Sequence, residues 1–366
     1  MRRRRPLAPN RVLILYSVVK RLPRGEPRDW IAEEEVLVTA QAMASALIEQ
    51  GWTVTARGVW DLDSLREALE DFDPQDTAVI NLCETLDGRP QGEAIVPVVL
   101  EARGFAYTGS PGSTLSLCLD KARAKARLRA VGLPTPPAQV VHDPRDRLRI
   151  PLPAMVKPLA EDASHGIDRE SVATEEGALR KRIAYILETY RQPALVEAFI
   201  EGREFNVAIW GGRTLEVLPL AEIDYSRIAN PMWRICTFAA KWLPGSEEYE
   251  LTPVRCPAPV DEALAARIRE VAVRAFRAAR CRDYGRVDLR LQGETPYVLE
   301  VNPNPSLAPN SGFVQAAQVA GYSYGALAER LIRLAWERRH RRKEAITSQL
   351  VQTVEADVAY SMASSG

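Results

Sequence analysis

At 366 residues the chain is long enough for two or three domains with cores of their own. Its 46% apolar and 26% charged content is ordinary for a soluble globular protein. Lys plus Arg equals Asp plus Glu at 48 each, so no global field points to nucleic acid.

The first feature is Arg2 to Arg5, ahead of the apolar run Val12 to Tyr16. That run is too short for a signal peptide core and no small-residue cleavage site follows, so the arginines read as a loose basic arm. Val12 to Tyr16 itself reads as a buried strand. A helix is expected from about Glu33 to Gln50, with Leu37, Ala40, Ala44 and Leu47 on one stripe and Gly51 at its end. Trp52 to Ala56 is a strand, Asp61 an N-cap for a short helix, Thr77 to Leu82 a strand and Glu93 to Arg103 a helix. Such alternation predicts a parallel sheet covered on both faces. No GxGxxG follows the first strand, which speaks against a dinucleotide site.

A basic helix over Asp120 to Val131 ends at Gly132 and a proline-rich LPTPP, a natural joint. The strand Ala154 to Pro158 carries Lys157 and is followed by the loop Glu161 to Gly166. A helix from about Glu175 to Tyr190 and strands at Ala194 to Ile200 and Glu204 to Trp210 come next. Asp224 to Glu250 reads as long and irregular, and Val260 to Cys281 as an amphipathic helix. A last helix reaches about Arg339, and His340 to Gly366 is expected to be a disordered or loosely helical tail. The five cysteines show no CxxC spacing, which argues against a disulfide framework or a zinc site and for reduced thiols in the cytoplasm. His165 reads as a loop residue rather than a metal ligand.

The stretch Arg286 to Asn302 reads as a hairpin. Alternation places Val287, Leu289, Leu291, Tyr297, Leu299 and Val301 on one face if Asp288 lies opposite Glu300 and Arg286 opposite Asn302, with a turn over Gln292 to Pro296. The other face gathers Asp288, Glu300 and Asn302 beside Arg286. Two carboxylates and an amide oxygen suit Mg²⁺ (or Mn²⁺) with phosphate oxygens completing its shell; the plain alternative is an exposed face with a surface ion pair.

The ordered series LDKARAK, MVKP, LVEAFIEGREFNVAIWG, YGRVDL and LEVNPNP resembles the ATP-grasp superfamily and, more closely, the D-alanine–D-alanine ligase family. The resemblance runs from about Val12 to Arg339. It implies an N-terminal parallel α/β domain over 1–118, then an α+β ATP-grasp fold in two subdomains over 119–210 and 211–340, and a tail over 341–366. It implies ATP as cofactor, with Lys121 and Lys157 on its phosphates, Glu197 accepting from the adenine amino group, the backbone of Ala198 to Ile200 on the ring edge, Phe199 or Ile200 packed on it, and Glu204 on the ribose. Asp288, Glu300 and Asn302 would hold the metal, Arg286 would stabilise an oxyanion, and the loop containing Ser164 and the segment containing Lys241 would close over the phosphates. Glu33 would bind a substrate ammonium and Ser311 the second substrate's carboxylate.

The amino-acid side departs from the family. Its histidine- and glycine-rich segment is here NLCETLDG, Asn81 to Gly88. Ala163 and Trp242 stand where the family has hydroxyls, so its glutamate–serine–tyrosine triad cannot form with the same groups. The expected function is ATP-dependent peptide-bond formation through an acyl phosphate, of D-alanine–D-alanine type, with D-alanine not necessarily the best substrate. A ligase of other amino acids or carboxylates, and a non-catalytic nucleotide-binding protein, are the alternatives. The expected partners are amino acids and ATP, without nucleic acid or membrane, and a homodimer is the candidate assembly.

Overall fold

The computed structural model describes residues 8–342. The basic arm and most of the C-terminal tail lie outside the described residues. The first part of the chain is β1 (Arg11–Ser17), α1 (Trp30–Glu49), β2 (Thr53–Val59), α2 (Leu62–Ala68), β3 (Thr77–Leu82), α3 (Ile95–Ala102) and β4 (Ala106–Tyr107). Its strands form a parallel sheet in the order β2-β1-β3-β4, and Asp61 caps α2 by accepting from the Ser64 amide at 2.8 Å. The core stripe of α1 is Val36, Ala40, Met43 and Leu47; Leu37, expected in it, is 43% exposed. A residue one place from the true stripe is rotated about 100° away from it.

Helices α4 (Gly112–Leu119) and α5 (Lys121–Ala130) lead to a second sheet. Its members are β5 (Ala138–Val141), β6 (Ala154–Pro158), β7 (Val172–Ala173) and β8 (Ala194–Ala198), antiparallel in the order β5-β8-β6-β7, with α6 (Glu176–Thr189) burying Leu179, Ile183 and Ile186 against Val156 and Val196.

The third sheet is built from β9 (Glu204–Gly211), β10 (Leu215–Val217), β11 (Ala221–Ile223), β12 (Val254–Arg255), β13 (Asp283–Gln292) and β14 (Thr295–Asn302). Its order is β12-β11-β9-β13-β14, with β10 paired to β9. Between β11 and β12 the stretch read as irregular holds two short helices, α7 (Phe238–Trp242) and α8 (Glu247–Glu250). Helix α9 (Glu262–Ala278) covers one face, packing Ile268, Ala272 and Ala275 on Val207, Val287 and Leu289.

The chain then returns to its beginning. Helix α10 (Gly312–Val319) and a helix over 324–342 place Phe313, Leu327 and Leu331 in one cluster with Val12, Ile14 and Ile80 of the parallel sheet and Trp210 and Tyr284 of the third sheet. That shared core joins the two sheets.

The β13–β14 register pairs Asp288 with Glu300 and Arg286 with Asn302, as the alternation requires. A bulge follows, so Leu289 faces Val298 rather than Leu299, and the strands run on until Gln292 meets Thr295. Val298 is therefore fully buried, Leu299 turns to line the cleft, and the turn is Gly293-Glu294, shorter than expected.

Candidate active site

A cleft of about 470 Å³ lies between the second and third sheets. Lys121, Lys157, Glu197, Glu204, Arg286, Asp288, Glu300 and Asn302 all line it, as do Ser164, Lys241 and Ser311. Glu33 lies outside it, in an adjoining cavity of about 80 Å³ that also meets Arg286, Asn302 and Lys241.

Glu197 is 2% exposed and held by two buried lysines. Lys157 Nζ lies 2.5 Å from its Oε1 and Lys125 Nζ 2.7 Å from its Oε2. Burial alone would push the carboxyl up, yet the two ammonium groups hold it below the usual range. Lys125 also donates to Thr135 Oγ1 at 3.0 Å. It was not singled out from the sequence, although its place four residues after Lys121 puts both on one helix face. Next to Glu197 the backbone is partly committed. The Ala198 amide donates to the Pro137 carbonyl and that of Phe199 to Pro153, whereas the Ile200 amide makes no hydrogen bond among the described residues. Edge recognition of a ring therefore has one free amide here rather than three. Glu204 Oε2 accepts from Arg290 Nε at 2.9 Å and the Tyr225 hydroxyl at 3.1 Å, leaving Oε1 for a ligand.

On the hairpin, Arg286 donates from Nε and Nη2 to the two Asp288 oxygens at 2.7 and 2.8 Å. Asn206 of β9 adds a bond to Asp288 Oδ1 at 2.8 Å. Asn302 Nδ2 bridges Asp288 Oδ2 at 2.9 Å and Glu300 Oε1 at 3.4 Å. Burial disfavours the Glu300 charge, but Lys121, Lys157 and Arg286 overcome it and bring the carboxyl down to about 2. Among the described residues no three His, Cys, Asp or Glu side chains converge on one point, so any cation here rests on two carboxylates and an amide. That donor set fits Mg²⁺, because cationic neighbours hold the Glu300 carboxyl low and the Asn302 amide already spans the gap between the two carboxylates. Metal binding requires Asn302 to present Oδ1 instead of Nδ2.

The two covering segments are joined. Ala163 and Ser164 have φ of 56° and 59°, consecutive left-handed residues without a glycine. That twist lets the Trp242 indole donate to the Ala163 carbonyl at 2.8 Å and the Ser164 hydroxyl to the Cys236 carbonyl at 3.1 Å. The expected loss of a side-chain link at Ala163 and Trp242 is thus offset by a side-chain-to-backbone link. We expect Trp242→Phe, which keeps the ring and removes the donor, to loosen this closure by about 1 kcal/mol. The ADP formed per dipeptide should then rise up to about fivefold as water reaches the intermediate. An unchanged ratio would count against the closure role.

The smaller cavity is acidic. Glu33, Glu84 and Glu93 line it, and among the described residues no Lys, Arg or His lies within ion-pair distance of any of them. Burial raises Glu33 to about 7, against the pull of His165 and with Glu161 and Asp29 adding to the rise. Glu84 is raised to about 8 by burial and by Glu33, against Lys241. Glu93 is raised by burial and accepts from Asn304 Nδ2 at 2.9 Å. His165 is buried beside Glu161, with Nδ1 3.8 Å from Oε2, and is part of this wall rather than a free loop residue. The Ser311 hydroxyl caps α10, accepting from the Val314 amide at 3.5 Å, which sets that helix N-terminus on the larger cleft.

Comparison with known proteins gives this geometry a context. The family model described as "D-ala D-ala ligase C-terminus" matches residues 129–333. The chain belongs to the D-alanine–D-alanine ligase family. The D-alanine–D-alanine ligase of Desulforudis audaxviator is 33% identical over 84% of this chain and 96% of its own length. An uncharacterized protein of Sinorhizobium fredii, y4sG, is 37% identical over 75% of this chain and 81% of its own. The D-alanine–D-alanine ligase of Bacillus anthracis, solved in complex with ATP, superposes with a TM-score of 0.70 over 91% of this chain and 99% of that one. At 21% identity that likeness establishes the ATP-grasp fold of the family and nothing finer. No helix among the described residues is long and apolar enough to cross a membrane.

Proposed function

We propose that this protein is an ATP-dependent carboxylate–amine ligase of the D-alanine–D-alanine ligase type, using Mg²⁺ and joining two amino acids. The observation that carries it is the convergence, in one cleft, of Lys121, Lys157, Lys241 and Arg286 with Asp288, Glu300 and Asn302 around space for a nucleoside triphosphate. Lys121 and Lys157 neutralise phosphate oxygens as point charges. Glu197 accepts from the adenine amino group while its lysines keep it ionised, and the Ile200 amide meets the ring edge. Glu204 Oε1 takes the ribose hydroxyls. Asp288, Glu300 and Asn302 would hold the metal, which would supply positive charge to offset that of the transferring phosphoryl group.

The first amino acid rests its ammonium on Glu33. Its carboxylate oxygen bonds to the γ-phosphorus and the bond to the β-phosphate bridge breaks, giving acyl phosphate and ADP. The amine of the second amino acid attacks the acyl carbon. Arg286, whose Nη1 makes no hydrogen bond among the described residues, stabilises the developing oxyanion, and inorganic phosphate leaves as the amine loses its proton. The Trp242–Ala163 link keeps water from the acyl phosphate. The α10 N-terminus with Ser311 and Lys241 takes the second carboxylate.

The direct test is amino-acid-dependent phosphate release with mass detection of the product, run with ATP and GTP. Release is expected only with amino acids, and ATP should exceed GTP by at least about tenfold, since the guanine carbonyl would face the Glu197 carboxylate, acceptor against acceptor. Nucleotide binding without any release would instead identify a non-catalytic nucleotide-binding protein.

The Glu33 carboxyl, raised to about 7, gives a further expectation. An ammonium binds the carboxylate and not the acid, so the first amino acid must displace a proton below that pH. Its kcat/KM should fall about tenfold per pH unit below neutrality and level off above. Glu33→Gln should raise KM about tenfold and remove that step, and the difference between the two pH profiles isolates Glu33. Superimposable profiles would contradict the assignment.

A further inference from the structure

The smaller cavity holds more negative charge than one substrate ammonium requires. Of the five carboxylates that line it, two have cationic neighbours: Glu161 is paired with Arg24 at 2.7 Å, and Asp162 lies 4.0 Å from Lys121. Arg286, the lining guanidinium, is paired with Asp288 through Nε and Nη2. Lys241 and His165, the remaining lining cations, act on this wall from beyond ion-pair distance, apart from His165 with Glu161. Glu33, Glu84 and Glu93 are left without an ion pair, and Glu33 serves the α-ammonium in the reading above. Glu93 is turned to the cavity wall by Asn304, itself fixed by the Tyr284 hydroxyl at 2.7 Å. Glu84 has no such partner.

A second, independent sign comes from Thr85. Its hydroxyl is buried, with the residue 4% exposed, lines the same cavity, and makes no hydrogen bond among the described residues. A buried hydroxyl without a partner is costly unless a ligand supplies a donor, and the half-buried Glu84 carboxylate lines the same cavity without a hydrogen-bond partner among the described residues. An alanine methyl group supplies none. A protonated side-chain amine supplies three, enough for Glu84, Thr85 and Glu93 together. The volume of about 80 Å³, with Leu115, Leu119 and Val301 also in its lining, admits a side chain of only a few atoms.

We propose that the first-substrate pocket selects a small amino acid with a second amino group on its side chain, a diamino acid, over alanine. This rests on the ligase reading given above. The side-chain ammonium lies on Glu84 and Thr85 with Glu93 behind them, while the α-ammonium stays on Glu33. Glu84, which burial raises towards neutrality in the free protein, is ionised by the bound amine.

The experiment uses the full chain with Mg-ATP and measures phosphate release with mass detection of products. The substrates are alanine, serine, 2,3-diaminopropionate and 2,4-diaminobutyrate, each as both enantiomers. One of the diamino acids is expected to exceed alanine of the same hand at least tenfold in kcat/KM. In Glu84→Gln that ratio should fall at least tenfold. Alanine used as well as or better than either diamino acid overturns the inference while leaving the ligase reading intact. Absence of release with every amino acid overturns both. The wild-type ratio decides without the variant. For Glu84→Gln itself, a melting temperature at pH 8 no lower than wild type shows that it is folded, and an unchanged substrate ratio in that folded variant overturns the role of Glu84.

Discussion

Glu300→Gln is expected to cut phosphate release at least about 100-fold with a smaller loss of stability than Asp288→Asn. The carboxylate is one of the two that the hairpin offers to a cation, and losing a charged ligand costs more than the 10–100-fold typical of an outer-shell change. The fold should tolerate it. Glu300 makes one long hydrogen bond, from Asn302 Nδ2 at 3.4 Å, and no ion pair within 4 Å, and the cations that act on it, Lys121, Lys157 and Arg286, each keep a nearer partner in Glu161, Glu197 and Asp288. Asp288→Asn is the less clean variant, because Asp288 neutralises the buried Arg286 through two short bonds. Removing that charge should cost about 3–5 kcal/mol of stability besides the metal site. Melting curves together with phosphate release under saturating Mg-ATP separate the two effects. Turnover of Glu300→Gln within about threefold of wild type would remove the hairpin from the mechanism.

Glu197→Gln is expected to lower the melting temperature by roughly 10 °C and to weaken ATP binding. The carboxylate is the counter-charge of two lysines that are 1% and 7% exposed, and an uncompensated buried charge costs about 3–5 kcal/mol. Adding Lys125→Met removes one stranded cation and should recover part of the lost stability, while the affinity for ATP stays low because the proposed adenine acceptor is still changed. A Glu197→Gln protein melting within about 2 °C of wild type would show that the lysines do not depend on it.

The sequence by itself determined much of the nucleotide side. The alternation in Arg286 to Asn302 is strict enough to fix the pairing of Arg286, Val287 and Asp288 with Asn302, Val301 and Glu300, because a one-residue slip there would turn the apolar side chains outward. Long helices with strong periodicity, such as α9, are equally legible. The ordered motifs fixed the family, since each combines a strand or helix end with a charged residue at set spacing. Short elements were not legible: β4, β5, β7 and the two-residue β12 carry too few positions to show a period, and the bulge that turns Leu299 to the cleft leaves no local sign.

Tertiary structure alone decided the rest. The pairing of Lys125 with Glu197, the Asn206 bond to Asp288, the Trp242 contact with the Ala163 carbonyl and the placing of Glu33 in one cavity with Glu84 and Glu93 join residues that are dozens of positions apart. So does the return of α10 and the 324–342 helix to the first sheet. Sequence pattern reports which face of its own element a side chain occupies. It does not report which other element that face meets, and ion pairing and burial depend on that meeting.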